Sequence, residues 1–258
     1  MAHMTLDKKE WLSHLGQFDS NINDLMLTIY DKPVCLGYAA GYQTHFYRVY
    51  QQYKDADFKE GVIHISDLDK VCAFLKKCNG DVTIKHAKGG KTLYVTGGKL
   101  KMTLPIMDLK SSKLVPTYEK LVKAAEESNW ESFGNDTYTL YGKTQLSDIL
   151  KLSGLSNIVK NNSDFVVSAD ATSNEIAISV GKTHSTKLFA TGELKDAEGP
   201  KHAVTSNFGP WLLPCLGLVD PAMPTRIHFG DATGFVVRQA DNMVKRLLII
   251  IEIGRAHV

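Results

Sequence analysis

The 258-residue chain states one arrangement twice, and that duplication limits its possible folds more than any other feature. The clearer copy spans residues 66–106. Ser66 offers a cap with an acid, Asp69, three residues on, and Leu68, Val71, Cys72 and Leu75 recur at helical spacing before Gly80. That pattern predicts a short amphipathic helix closed by a glycine stop. Strand-like runs follow at 81–86, 92–96 and 99–106, separated by Gly89-Gly90 and Gly97-Gly98. Paired glycines supply the positive φ that tight hairpins need, so the unit reads as one helix and a three-stranded meander.

The second copy opens at Ser206, with Trp211, Leu212, Cys215 and Leu218 on a helix-like stretch. Runs at 225–229, 233–238 and 243–251 follow, broken by the turn pairs Gly230-Asp231 and Asp241-Asn242. Upstream of each copy lies another matching block of one helix and three strands. In the first, helix 7–18 carries Trp11, Leu12, Leu15 and Phe18 on one side and leads into runs 23–30, 34–40 and 43–50. In the second, helix 144–155 leads into 164–169, 175–180 and 186–191. A chain of helix, strands, helix, strands, stated twice, is an α+β protein of two similar domains, and repeats of this kind decide a fold before any single element does.

Length allows two domains of ordinary size, each with its own core. They are expected at 4–107 and 138–254, with a connector at 108–137. Within the connector, 108–116 has neither period and ends at Pro116, 117–128 reads as helix, and 130–135 is irregular. Residues 54–60 read as a charged link, 62–65 as a strand, 196–200 as a charged loop and 203–205 as a short strand. Pro214 should break or kink the last helix. Met1-Ala2-His3 reads as a leader before Met4, and 255–258 fit no element.

The formal charge of +2 does not mark the whole chain as a polyanion binder, so any nucleic-acid contact requires charge gathered on one face. The four cysteines, Cys35, Cys72, Cys78 and Cys215, lack CxxC spacing and read as buried free thiols of a reducing compartment. No apolar run approaches the ~20 residues of a membrane span. There is no signal-peptide pattern, so an intracellular, cytoplasmic protein without membrane partners is expected.

No catalytic signature stands out. Gly89-Gly90-Lys91-Thr92 ends like a phosphate loop, but Lys85 occupies the first glycine position and a strand follows where a helix must begin. The internal histidines His14, His45, His64, His86, His184, His202 and His228 show no metal-ligand spacing and read as scattered strand and surface residues. Neither a paired-carboxylate pattern nor a GxSxG elbow is present. No metal, no cofactor and no enzymatic activity are expected.

Lysines on helices are the remaining signal. With Leu68, Val71, Cys72 and Leu75 inward, Lys70 and Lys77 fall on the opposite face, with Ala73 between them and Lys76 at the flank. Helix 144–155 buries Leu146, Ile149 and Leu150 and turns Lys151 outward, with Lys143 and Lys160 at the ends of that region. Lys9 lies on the polar side of the first helix. A solvated helix face explains any one of these; recurrence in a duplicated unit gives the lysines a common destination.

The pattern resembles the DNA sliding clamps, the trimeric clamps of tailed phages above all and proliferating cell nuclear antigen (PCNA) more distantly. The strings that carry it are Met4-Thr5-Leu6-Asp7-Lys8 and Val62-Ile63-His64-Ile65-Ser66-Asp67-Leu68 in the first copy. In the second they are Gln145-Leu146-Ser147-Asp148-Ile149-Leu150 and Asp164-Phe165-Val166-Val167-Ser168. The helix-like 117–128 and the proline-rich last helix depart from the family. The resemblance implies outer antiparallel sheets, inner helices and a homotrimeric ring around double-stranded DNA, bound without sequence specificity. A DNA polymerase and a clamp loader are the implied partners.

By the same resemblance, Lys70, Lys77 and Lys151, with Lys9, Lys76, Lys143 and Lys160 as weaker candidates, face phosphates. The subunit join would pair the edge strand 99–106 of one copy (Lys99, Leu100, Met102, Leu104) with 186–191 of the next (Thr186, Leu188, Ala190). A client peptide would enter a pocket walled by Leu109, Leu114, Val115, Ile249 and Ile251. The rivals are a β-rich virion or assembly protein whose lysines serve solubility, and an enzyme whose site assembles only in space.

Overall fold

A computed structural model describes residues 2–18, 25–31, 35–41, 45–53, 56–87, 90–106, 110–144, 164–180, 184–189, 194–196 and 203–251. The chain divides into two compact units, Met1–Tyr42 with Tyr47–Pro116, and Gln43–Phe46 with Thr117–Val258.

In chain order the first stretch holds β1 (His3–Asp7), α1 (Lys8–Leu15), β2 (Leu25–Ile29), β3 (Cys35–Gly41), β4 (His45–Gln52), β5 (Asp57–Lys59) and β6 (Gly61–Ile65). Then come α2 (Leu68–Lys77), β7 (Asp81–His86), β8 (Thr92–Gly97) and β9 (Leu100–Pro105). The long helix α3 (Lys110–Glu127) and the two-residue strands β10 (Ser132–Phe133) and β11 (Asp136–Thr137) follow. The second stretch holds β12 (Leu140–Thr144), β13 (Phe165–Asp170), β14 (Glu175–Val180), β15 (His184–Phe189), β16 (Lys195–Asp196) and β17 (Ala203–Phe208). It ends with a five-residue helix α4 (Leu212–Leu216), then β18 (Thr225–Phe229), β19 (Phe235–Ala240) and β20 (Val244–Ile250).

Strand order carries the duplication. The first unit places its strands β5-β1-β7-β8-β9 and β4-β3-β2-β6; the second repeats both orders as β16-β12-β18-β19-β20 and β15-β14-β13-β17. The matching pairs with a defined register are antiparallel in both copies, β1 on β7 as β12 on β18, and β2 on β6 as β13 on β17.

Alternation sets which side of each sheet is dry. Met4, Leu6, Val82, Ile84, Leu93 and Val95 are buried on one face of the first unit, against Trp11 and Leu15 of α1 and Leu68, Val71 and Leu75 of α2. Each such side chain contributes roughly 1.5–3 kcal/mol of burial. Trp11 Nε1 donates to the Val82 carbonyl at 2.9 Å, so the largest ring in this core satisfies its one donor. In the second unit Leu140, Ile227, Phe229, Phe235, Val237, Leu248 and Ile250 form the corresponding layer, with Phe208 edge-on to Phe235 at 5.2 Å.

Several elements differ from the sequence expectation. Ala2 is buried and His3 pairs with both Lys59 and Lys85, so the supposed leader begins β1, and β5 forms inside the charged link. The cap of α2 is Asp67, whose carboxylate accepts the Lys70 N–H at 3.0 Å, while Ser66 Oγ donates to the Pro105 carbonyl. Of the pair Gly97-Gly98 only Gly98 has positive φ, 56°. Gly97 ends β8, where a Cβ would meet Cys78 Sγ at 2.7 Å. Helix α3 starts at Lys110 and runs through Pro116. Val115, Tyr118, Val122 and Ala125 lie along one buried stripe, and their burial outweighs the roughly 3 kcal/mol a mid-helix proline costs.

The irregular stretch after α3 is a small hairpin turned by Gly134. Ser206 opens no helix: β17 continues to Phe208, with Ser206 Oγ donating to the Gly230 carbonyl and accepting the Thr233 N–H. That tie also lengthens the β18–β19 loop, which spans 230–234 instead of closing on Gly230-Asp231. Asp241 does turn the next hairpin, accepting from the Met243 and Val244 N–H groups. Helix 144–155 lies outside the described residues, save Thr144, which ends β12. Among the described residues no helix is long and apolar enough to cross a membrane.

Candidate nucleic-acid interface

Helices α1 and α2 pack side by side. Asp7 caps α1, accepting the Lys9 N–H at 2.8 Å. The start of α1 is tied to the end of α2 twice: the Lys8 N–H donates to the Gly80 carbonyl, and Lys8 Nζ donates to the Cys78 carbonyl at 2.6 Å. A lysine at a helix C-terminus satisfies an orphan carbonyl and complements the dipole. Lys8 is thereby committed to holding the two helices in register.

Lys9, Lys70, Lys76 and Lys77 are exposed, and Ala73 is exposed between Lys70 and Lys77, so the inferred polar face of α2 is the solvent face. The two helices hold five lysines and two acids, and their caps Asp7 and Asp67 bring the acids to four, so the local excess of positive charge is one. Lys70 is partly engaged: its Nζ lies 2.7 Å from the Asp67 carboxylate. The hydrogen bonds from Lys70 hold the Asp67 carboxyl below its ordinary value. An exposed pair of this type is worth at most about 1 kcal/mol, so a phosphate can compete for the ammonium. Burial, eased by the nearby Lys76, raises the Cys72 thiol on the same helix.

Lys143 sits on β12 and not on a helix, on the sheet face opposite Leu140. Lys151 and Lys160 lie outside the described residues. Of the inferred pocket, Val115, Ile249 and Ile251 are buried and Leu114 is half-buried; Leu109 lies outside the described residues. Of the inferred join, Lys99 is in the turn before β9. Leu100 is 43% exposed, and Met102 and Leu104 are half-buried. β9 is the last strand in its order, and β15, with Thr186 and Leu188, is the last in its own. Ala190 lies outside the described residues.

One constellation escaped sequence reasoning. His228, read as a scattered residue, is buried and stacks on Tyr141 at 5.9 Å, with Trp130 at 6.1 Å and Arg238 over the Trp130 ring at 4.9 Å. Burial, reinforced by Arg238 and Arg226, pushes the imidazole down to about 4. Arg226 and Arg238 are cross-strand partners, a pairing that a five-residue hairpin loop at 230–234 would have exposed. Among the described residues, no group of three or more His, Cys, Asp or Glu is placed to hold a metal ion.

No protein-family model and no curated protein sequence matches the chain. Solved structures do. PCNA from A. fulgidus, in a structure with the C-terminal region of FEN-1, matches with a TM-score of 0.63 at 13% identity, over 98% of each chain. PCNA from Thermococcus kodakaraensis gives 0.63 at 12% identity, over 98% of this chain and 100% of that one. The Helicobacter pylori beta clamp bound to a DNA ligase peptide gives 0.66 at 12% identity, over 98% of this chain and 67% of the clamp. The chain therefore has the DNA sliding-clamp fold, built of two similar α+β units.

Proposed function

We propose that this protein is a sliding clamp: three copies close head to tail into a ring that encircles duplex DNA and tethers a DNA polymerase to its template. The end-to-end match with clamps, in a chain whose two units repeat one strand order, carries this reading. Its functional domains are those inferred from the sequence, 4–107 and 138–254 joined by 108–137, with the first extended to include His3 at the start of β1. The protein performs no covalent chemistry. It raises the effective concentration of polymerase at the primer by making reattachment intramolecular. A clamp loader is the expected partner for placing the ring on DNA, and the cytoplasm the expected compartment. The phage likeness rests on the sequence strings quoted above.

Lys9, Lys70, Lys76 and Lys77, with Lys151 and Lys160 from the second copy, face the phosphates. Leu100, Met102 and Leu104 on β9 and Thr186, Leu188 and Ala190 near β15 form the join. This is supported by the terminal place of both strands and by the incomplete cover over the β9 apolar side chains. Client peptides dock against Leu109, Leu114, Val115, Ile249 and Ile251. Peptides from FEN-1 and DNA ligase on other clamps support that mode of partnership.

The test is retention on duplex DNA as salt is raised. Each phosphate neutralised contributes about 0.9 to the slope of log K against log salt. Replacing Lys70→Glu and Lys77→Glu together should lower the slope by about 1.8 and reduce polymerase stimulation. Unchanged retention would remove these residues from the interface.

A further inference from the structure

We propose that the second unit carries a binding surface for single-stranded nucleic acid, separate from the α1–α2 lysines and independent of the clamp reading. Lys143 of β12, Arg226 of β18 and Arg238 of β19 stand directly opposite one another across three neighbouring strands. Strands lie about 4.8 Å apart, so three cations form one row on one sheet face. Two residues along the same strands, and therefore on the same face, Tyr141 stands opposite His228.

Among the described residues the row has no ion-paired anion; Glu126 acts on Arg238 only through space. Three like charges set side by side repel, and burial together with Arg226 pulls the Arg238 guanidinium down. Trp130 Nε1 and His228 Nε2 are buried beside the row without hydrogen-bond partners among the described residues, at roughly 1–3 kcal/mol each. Asn129 and Trp130 both take positive φ, 53° and 67°, to bring the indole under Arg238. These are sizeable costs for a layer that only fills space, and an anionic ligand offsets the repulsion among them.

The rings choose the ligand. Tyr141 is 40% exposed beside the cations and backed by His228 at an interplanar angle of 19°. Cations that neutralise a backbone next to a presented aromatic ring are the means by which unpaired bases are held. A duplex keeps its bases stacked inside and gains nothing from Tyr141. An acidic peptide uses the cations and leaves the ring idle.

Anisotropy titration of the full chain with a labelled oligothymidine decides the matter. Wild type should bind. Arg226→Glu combined with Lys143→Glu should weaken binding at least about tenfold and lower the salt slope by about 1.4, at about 0.7 per phosphate for single strands. Tyr141→Ala, which changes no charge, should weaken it about five- to a hundredfold. Lys120→Glu with Lys123→Glu, a matched reversal on exposed positions of α3, should bind as wild type does. Circular dichroism melting confirms that each variant is folded. Binding indifferent to both Tyr141→Ala and the Arg226 pair overturns the proposal. So does an oligoglutamate that binds this surface where oligothymidine does not, which would assign it to an acidic protein. Failure here leaves duplex retention by α1 and α2 untouched, so the two readings fail separately.

Discussion

At the scale of single residues, His228 makes the sharpest statement. The unfolded imidazole takes a proton near pH 6.5 and the folded one only near 4, because burial and two arginines oppose the charge. Its contribution to stability is complete above pH 6.5 and is lost as pH falls toward 4, up to about 3 kcal/mol. His228→Phe should flatten the stability curve between those values in denaturant titrations, and an acid limb equal to that of wild type would contradict the assignment. Asp67 gives a second test. As the cap of α2, its replacement by Ala should cost about 1 kcal/mol, while Ser66→Ala, which removes only an exposed hydrogen bond, should cost less than about half of that. Thermal melts of the two variants separate them. The sequence pointed to Ser66 because Ser and Asp both cap helices and Asp69 suited a capping box. Only the chain's path decided between neighbours.

At the scale of elements, legibility tracked how local the determining interactions are. Helix α2 and strand β7 were readable to within a residue or two, because their period and stops lie within the segment itself. Strands β1 and β5 were missed. Three to five residues give too little alternation, and their existence rests on pairing with one another and with β7. Proline 116 misled for the opposite reason: its local cost is real, but a buried stripe on either side of it outweighs that cost. Pro116→Ala should therefore stabilise the protein, by about 1–3 kcal/mol in a thermal or chemical melt. Destabilisation would mean that α3 needs its proline. The terminal strand β9 supports a prediction about assembly. Leu100→Glu places a charge on its exposed apolar row. It should dissociate copies of the chain while shifting the melting free energy by less than about 0.5 kcal/mol, as surface substitutions do. Sedimentation velocity reads the first effect and calorimetry the second.

At the scale of the whole molecule, the repeat is legible in the sequence, since two similar runs of helix and strands give similar strand orders. The candidate sites were less so. The solvent face of α2 followed from helical geometry alone, and Lys9, Lys70, Lys76 and Lys77 are where that geometry puts them. The row of Lys143, Arg226 and Arg238 depends on two pairings, the β18–β19 hairpin for the arginines and β12 on β18 for Lys143, and neither has a trace in the spacing of these residues. With a formal charge of only +2, any contact with a polyanion has to be local, through the lysines of α1 and α2 or the cations of β12, β18 and β19, and not through the overall field. The mass of the protein in solution tests the proposed ring most directly. Light scattering across a range of concentrations should give three times the 28.6 kDa chain, falling to one chain for Leu100→Glu. A single-chain mass for the wild type at every concentration would contradict it.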